Sequence, residues 1–315
     1  MTDSPDRRVR AVMWNLRIDA ATGEVVEALS SAGVDSLILK GPALAEWYPP
    51  DSGRTYVDAD VWVAPAAMGA AESVLTKLGF KPTIDEQGLP DWWQEHASSW
   101  LRAADQGKID LHRRLQGVGT DPQRAWDILW RQREPFTVGG RPAQRLPEAG
   151  RALYVALHAT HHGVGDSRAL PHLQAALDAV EDSAWRQALA LAIELRAVAA
   201  FATGLRMVTS GASLAERLEI PDARSVRSEL LASSAPPVAL GFDQLAAAHG
   251  VRRFQILLRK FVPPPSFIRH WWSPAAASRR MLLIGYLYRP VWLVIRAPGG
   301  YRSWRAARRR ARSSS

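Results

Sequence analysis

Two short runs in this chain carry side chains that could do chemistry together. In Tyr56-Val57-Asp58-Ala59-Asp60-Val61-Trp62-Val63, two aspartates stand at i and i+2 in a β-branched, alternating stretch. Successive strand residues point to opposite faces, so Asp58 and Asp60 share one face while Val57, Ala59, Val61 and Val63 share the other. Two carboxylates about 5–6 Å apart repel by about 3 kcal/mol at an effective dielectric near 20. A fold that keeps them close needs a cation beside them, or a raised pKa on one of them. Hard oxygen donors of this kind suit Mg2+ or Mn2+, which retain water and bridge to phosphate oxygens. A third carboxylate on a neighbouring strand normally completes such a site. Lys108-Ile109-Asp110-Leu111-His112 alternates as that strand would, with Asp110 and His112 on one face. Further along, Leu157-His158-Ala159-Thr160-His161-His162 puts His158 and His162 at i and i+4 of a helix. No glutamate follows His158, so the run does not read as a zinc-protease helix. His112, His158 and His162 are candidate substrate contacts.

Holding these groups requires a sheet with helices around it. Val9, Val12, Met13, Leu16, Ile18, Val25, Val26 and Leu29 recur at helical spacing and predict a helix from about residue 7 to 32, ended at Gly33. Ser36 to Leu39 predicts a short buried strand. Pro42 suits the first turn of a helix to about Tyr48, and Val57 to Val63 predicts the second strand. Pro65 opens a helix through Leu78, and Phe80 to Ile84 reads as a third strand. Glu95 to Arg102 and Lys108 to Leu115 predict a hairpin that turns at Asp105-Gln106-Gly107. From Asp121 onward helical patterns dominate, interrupted between Phe136 and Arg145.

The fold class is therefore α+β: a mixed sheet with flanking helices, then a mainly helical C-terminal region. The break at Val138-Gly139-Gly140-Arg141-Pro142 is the boundary candidate. The expected organisation is a mixed α/β domain over 1–145, a helical domain over 146–300 and a disordered basic tail over 301–315. Met281 to Ala297 is apolar, but Arg289-Pro290 splits it and it is short for a membrane span, so it reads as a buried helix. Trp92-Trp93 and Trp271-Trp272 are paired indoles, each pair expected to split between core and surface.

Composition narrows the setting. The chain has 315 residues and no cysteine, which excludes a disulfide-linked partner and any thiolate metal site. The N-terminus lacks an apolar signal core, and a cytoplasmic location is expected, with peripheral attachment to a membrane as an added possibility. The net charge of +9 is uneven: no Asp or Glu follows Asp243, whereas fifteen Lys or Arg residues do. Such a tail is suited to anionic membrane or nucleic acid.

The runs Leu39-Lys40-Gly41-Pro42-Ala43-Leu44-Ala45, Tyr48-Pro49, Arg54, Asp58-Ala59-Asp60-Val61 and Ile109-Asp110-Leu111-His112 together resemble the uncharacterised nucleotidyltransferase family of bacterial proteins. That family belongs to the polymerase-β-like nucleotidyltransferase superfamily, and the resemblance covers about residues 10 to 180. It implies that Asp58 and Asp60 are paired metal ligands. Asp110 would be the third carboxylate, serving as ligand or as base toward an attacking hydroxyl. It implies a nucleotide-binding role for Lys40 and for Gly41, where a helix N-terminus would approach phosphates, and Arg54 could pair with a triphosphate. The sequence departs from the pattern at Ala59 and Trp62, where larger and smaller aliphatic residues are usual; neither removes a ligand. The expected activity is transfer of a nucleoside monophosphate from an NTP to a hydroxyl of an unidentified small molecule, peptide or protein. A non-catalytic nucleotide-binding or membrane-docked interaction protein would keep the same fold, and the carboxylate triad favours the enzyme.

Overall fold

The computed structural model of the chain describes residues 5–49, 53–83, 96–166 and 169–313. Helix α1 (Pro5–Ser31) leads through a left-handed Gly33 into β1 (Ser36–Ile38). A seven-residue 3-10 segment from Gly41 to Trp47 follows, then β2 (Ala59–Val63), α2 (Met68–Lys77), β3 (Lys81–Pro82), β4 (Ala97–Arg102) and β5 (Gly107–His112). Helix α3 (Pro122–Trp130) precedes a hairpin of β6 (Glu134–Val138) and β7 (Arg141–Arg145). The rest is helical: α4 (Glu148–His162), α5 (Ala169–Ala179), α6 (Asp182–Glu194), α7 (Val198–Leu205), α8 (Thr209–Arg217), α9 (Val226–Ala232), α10 (Pro237–Ala247), α11 (Gly250–Phe261), α12 (Pro265–Trp271) and α13 (Arg279–Ser313).

One seven-stranded sheet runs in the order β3-β4-β5-β2-β1-β7-β6. β2 and β5 are parallel neighbours, and β4–β5 and β6–β7 are antiparallel hairpins. The interruption read at Phe136 to Arg145 is thus the last hairpin of the sheet, its glycine pair Gly139-Gly140 forming the turn and β7 pairing with β1. Short strands that alternate poorly, such as Glu134–Val138, give a weak sequence signal and depend on their neighbours.

The sheet separates two packed layers. On one side Ile38, Ala59, Val61, Val63, Ile109 and Leu111 pack with Ile18, Val25 and Leu29 of α1 and with Leu75 of α2. On the other, Leu37, Leu39 and Trp62 join α4, α6 and α7. The period of two explains the division: Asp60 and Asp110 stand on the side that α4 covers. Trp62 is fully buried there and meets the Trp126 ring edge-on at 4.9 Å, so the indole fills a larger space than a leucine would.

α4 is buried nearly all round, as a central helix must be. It starts after Pro147, carries Glu148 in its first turn and ends at Gly163. α7 approaches it closely: a Cβ on Gly204 would lie 2.0 Å from the carbonyl oxygen of Ala156. Gly204→Ala is therefore expected to destabilise the protein by about 3 kcal/mol, the upper range for overpacking. Urea unfolding checks this, with a lowered midpoint at unchanged slope.

Four expectations need correction. The stretch from Met281 to Ala297 is not a buried helix: it lies within α13, and Leu283, Leu287, Val291, Val294 and Ile295 are exposed. Val9, Val12, Met13 and Leu16 are exposed; the first half of α1 buries Ala11 and packs Trp14 against the core, and most of its core residues come from Ile18 onward. Residues 301–313 are the end of α13 and not a disordered tail. Trp304 and Ala307 recur at helical spacing, are buried against Leu230 and Ala239, and so tie the helix down. Arg310 adds an ion pair to Glu229 of α9. Trp271 and Trp272 are both half-buried, not divided between core and surface. Trp92-Trp93, with Ile84 and Glu95, lies outside the described residues.

Candidate active site

Register brings the carboxylates together. β2 and β5 pair Asp60 with Asp110 and Trp62 with His112. Asp58 sits immediately before β2, and the three aspartates line one cavity of 560 Å³. Across the next hairpin Ser99 stands opposite Asp110, and its hydroxyl donates to Asp110 Oδ1 at 2.5 Å.

The chain's own ammonium groups lie against these carboxylates. Lys40 Nζ is 3.1 Å from Asp60 Oδ1, and Lys108 Nζ donates to Asp58 Oδ2 at 2.9 Å and lies 4.0 Å from Asp110 Oδ1. His112 Nε2 donates to Asp60 Oδ1 at 2.7 Å. Lys40 also reaches His158 Nε2 at 3.0 Å, which puts the proton of a neutral His158 ring on Nδ1. Burial would raise the Asp60 pKa, but the charge of Lys40 and the hydrogen bond from His112 override it and hold the carboxyl well below the ordinary range. Asp110 moves the other way. Burial and then the charges of Asp60 and Asp58 push it up, against the smaller pulls of Ser99 and Lys108. Lys108 is raised: its burial opposes this, but Asp110 and Asp58 outweigh the burial. Asp60 Oδ2 is buried and has no hydrogen-bond partner among the described residues.

A wall of imidazoles faces the carboxylates. His158 and His162 of α4, His96 before β4, and His172 of α5 all line the cavity. Burial lowers His96 to about 2, His161 to about 4 and His172 to about 3, and holds His158 well below its ordinary value. Neighbouring imidazoles and Lys40 add to the effect. His161 packs behind the wall, with its ring centroid 4.8 Å from that of His96. His162 Nδ1 meets Asp166 Oδ2 at 2.9 Å. At the third edge the Arg54 guanidinium lies over the Tyr48 ring at 3.9 Å, and Tyr48 Oη meets His172 Nδ1 at 2.5 Å.

The residues singled out in the sequence therefore converge with one exception. Asp58, Asp60, Asp110, Lys40, Arg54, His112, His158 and His162 line the cavity. Gly41 does not. It adopts φ 63° at the start of a 3-10 segment, is buried, and has the Asp58 carbonyl oxygen 3.3 Å from where a Cβ would be. Its backbone holds the Lys40 turn against the Asp58 loop, and the 3-10 segment starts there with Lys40 at its N-cap. Sequence reading missed Lys108, whose position two residues before Asp110 already put it on the same face. It also missed Ser99, His96, His172 and Asp166, which reach the cavity only through strand pairing and helix packing, and it gave Tyr48 of the Tyr48-Pro49 run no role.

A family profile described as Uncharacterised nucleotidyltransferase matches residues 6–210, about two thirds of the chain. No curated protein matches. Two solved structures are also similar to the chain at low identity. The solution structure of the antibiotic-resistance factor ANT(2'')-Ia matches at 12% identity with a TM-score of 0.40, covering 56% of this chain and 90% of that one. A crystal structure of an antigenic nucleotidyltransferase-like protein from Paracoccidioides brasiliensis matches at 11% identity with a TM-score of 0.36, covering 65% and 93%. With its seven-stranded mixed sheet, its three aspartates on one face and this profile match, the chain belongs to the uncharacterised nucleotidyltransferase family.

Proposed function

We propose that this nucleotidyltransferase moves a nucleoside monophosphate from an NTP to an acceptor hydroxyl, with a divalent metal held by Asp58, Asp60 and Asp110. The observation that carries the reading is the pairing of Asp60 with Asp110 across β2 and β5 beside an unpartnered, buried Asp60 Oδ2. Among the described residues no three His, Asp or Glu side chains close into a metal cage. Mg2+ does not require one, because it takes one or two carboxylates and completes its shell with water and phosphate. The all-oxygen donor set suits Mg2+ or Mn2+. Four carboxylates, Asp58, Asp60, Asp110 and Asp166, face three cations, Lys40, Arg54 and Lys108, across the cavity. That balance leaves room for a cation and favours a metal-bound polyphosphate over a free one.

When bound, the metal would neutralise charge on the phosphates and the departing pyrophosphate. The chain's own groups do the rest. Lys40 and Lys108 are amino groups that exchange a carboxylate for a phosphate oxygen at little electrostatic cost. His112 fixes the Asp60 carboxylate through Nε2. Asp110, its Oδ1 held by the Ser99 hydroxyl, is the carboxylate placed to accept the proton of the acceptor hydroxyl. The neutral imidazoles line the acceptor side with groups that can donate or accept, and the cavity volume is in the ~300–1,000 Å³ range of small-molecule sites.

Calorimetric titration of the full chain with each NTP, with and without Mg2+, tests the reading. Metal-dependent binding is the expected outcome, together with a rise in melting temperature worth about 2.7 kcal/mol at a hundredfold excess over Kd. A chain that binds neither metal nor nucleotide would not be this enzyme.

A further inference from the structure

Residues beyond 210 lie outside the family match, and they include α11 and α13. α11 reads Gly250-Val-Arg-Arg-Phe-Gln-Ile-Leu-Leu-Arg-Lys-Phe261, and none of its residues is buried. Val251, Phe254, Leu258 and Phe261 recur at i, i+3, i+7 and i+10 and are exposed, while Arg252, Arg253, Arg259 and Lys260 take the opposite face. α13 repeats the arrangement on a larger scale. Leu283, Ile284, Leu287, Tyr288, Val291, Val294 and Ile295 form one exposed stripe about 18 Å long at 1.5 Å per residue. Arg302, Arg305, Arg309 and Arg312 continue the same heptad register and are exposed as well. The two helices flank one apolar groove of 440 Å³, and Arg289 Nε of α13 donates to the Lys260 carbonyl of α11.

We infer that α11 and α13 form a docking face for an anionic lipid bilayer. The chemistry is that of an interfacial amphipathic helix: apolar side chains enter the acyl boundary and arginines pair with headgroup phosphates. No described helix is long and apolar enough to cross a membrane, so the contact is peripheral. Charge decides among occupants. From residue 244 onward the chain carries fifteen basic and no acidic residues, so a second copy would bring like charge against like. Nucleic acid would satisfy the arginines but leave a stripe of Leu, Ile and Val against phosphate. An anionic bilayer satisfies both.

Vesicle sedimentation of the full chain tests this, using phosphatidylcholine alone and phosphatidylcholine in which about a third of the lipid is phosphatidylglycerol. The chain is expected to sediment with the anionic vesicles and not with the neutral ones, and salt should weaken the binding. A Phe254→Glu/Leu287→Glu variant should bind at least about tenfold more weakly, and an Arg302→Glu/Arg309→Glu variant similarly. Phe254 and Leu287 are 64% and 76% exposed, so the first variant should melt as the wild type does and bind NTP unchanged. The inference fails if the wild type stays in the supernatant, or if both variants sediment as it does. It also fails if Phe254→Glu/Leu287→Glu instead abolishes self-association seen without lipid, or abolishes binding of a mixed-sequence oligonucleotide. Those two results would assign the face to a second copy or to nucleic acid.

Discussion

Asp60→Asn is expected to abolish metal-dependent NTP binding and to cut nucleotidyl transfer about a thousandfold, ~4 kcal/mol of lost charge stabilisation. The asparagine keeps the shape of the side chain and can still accept from His112 and Lys40. It removes the charge that a cation at Oδ2 would meet. A stability cost follows as well, because the Lys40 ammonium, only 16% exposed, loses the charge it faces. About 1–3 kcal/mol is the scale for a buried polar group left poorly paired. The variant therefore has to be compared with wild type by circular dichroism melting before binding is measured. A folded Asp60→Asn protein that bound Mg2+ and NTP with wild-type affinity would remove Asp60 from the metal site. It would also leave the ammonium-neutralised carboxylates as a structural network.

The second large effect is acid sensitivity. His96, His161 and His172 are held at about 2, 4 and 3 by burial and by neighbouring cationic groups, below an ordinary value of 6.5. The folded values lie below the unfolded one, so between them the unfolded chain binds protons that the folded chain refuses. Stability is complete above about pH 6.5 and is lost as the pH falls from there toward 4. At pH 5 each ring contributes about 2 kcal/mol of this loss, together up to roughly 6 kcal/mol. A typical domain has about 5–15 kcal/mol in all. Asp110 and Asp19 act with the opposite sign, since their raised pKa values favour the folded state as the pH falls through their titration, but they are two groups against four depressed imidazoles, His158 included. Asp60, whose pKa is lowered, adds to the loss only below the unfolded carboxylate value near 4. Melting temperatures at pH 7.5, 6.5, 5.5 and 5.0 check the claim. A flat profile across that range would mean that the rings are protonated or exposed in the folded chain.

The sequence by itself determined the carboxylate strand, its partner strand and the lysine that precedes the glycine turn. Strand alternation is local: a period of two forces Asp60 to one face and Val61 to the other, whatever the rest of the chain does. The same reasoning applied to Lys108 would have found it. It also determined the first strands and the switch to helices after residue 145, because apolar periodicity over ten or more residues survives most tertiary contexts. Short elements were less legible. The β6–β7 hairpin read as an interruption, since five-residue strands at a sheet edge are stabilised by pairing more than by their own pattern.

Only the tertiary structure decided the rest. The sequence argument required a cation beside the aspartates, and packing supplied two, Lys40 on Asp60 and Lys108 on Asp58, from segments 20 and 50 residues away. Gly41 packs closely under the Asp58 carbonyl, a contact made between segments 17 residues apart that no local pattern encodes. Tyr48 and His172 meet across 124 residues, and no local pattern encodes such a contact. The C-terminal arginines, read as a disordered tail, close onto α9 and α10 through Trp304 and Ala307. A run of like charge carries no information about the two apolar residues within it until a helix aligns them. The carboxylate face was thus fixed by alternation along a strand, and the imidazoles, the ammonium partners and the exposed face of α13 by which helix covers which surface.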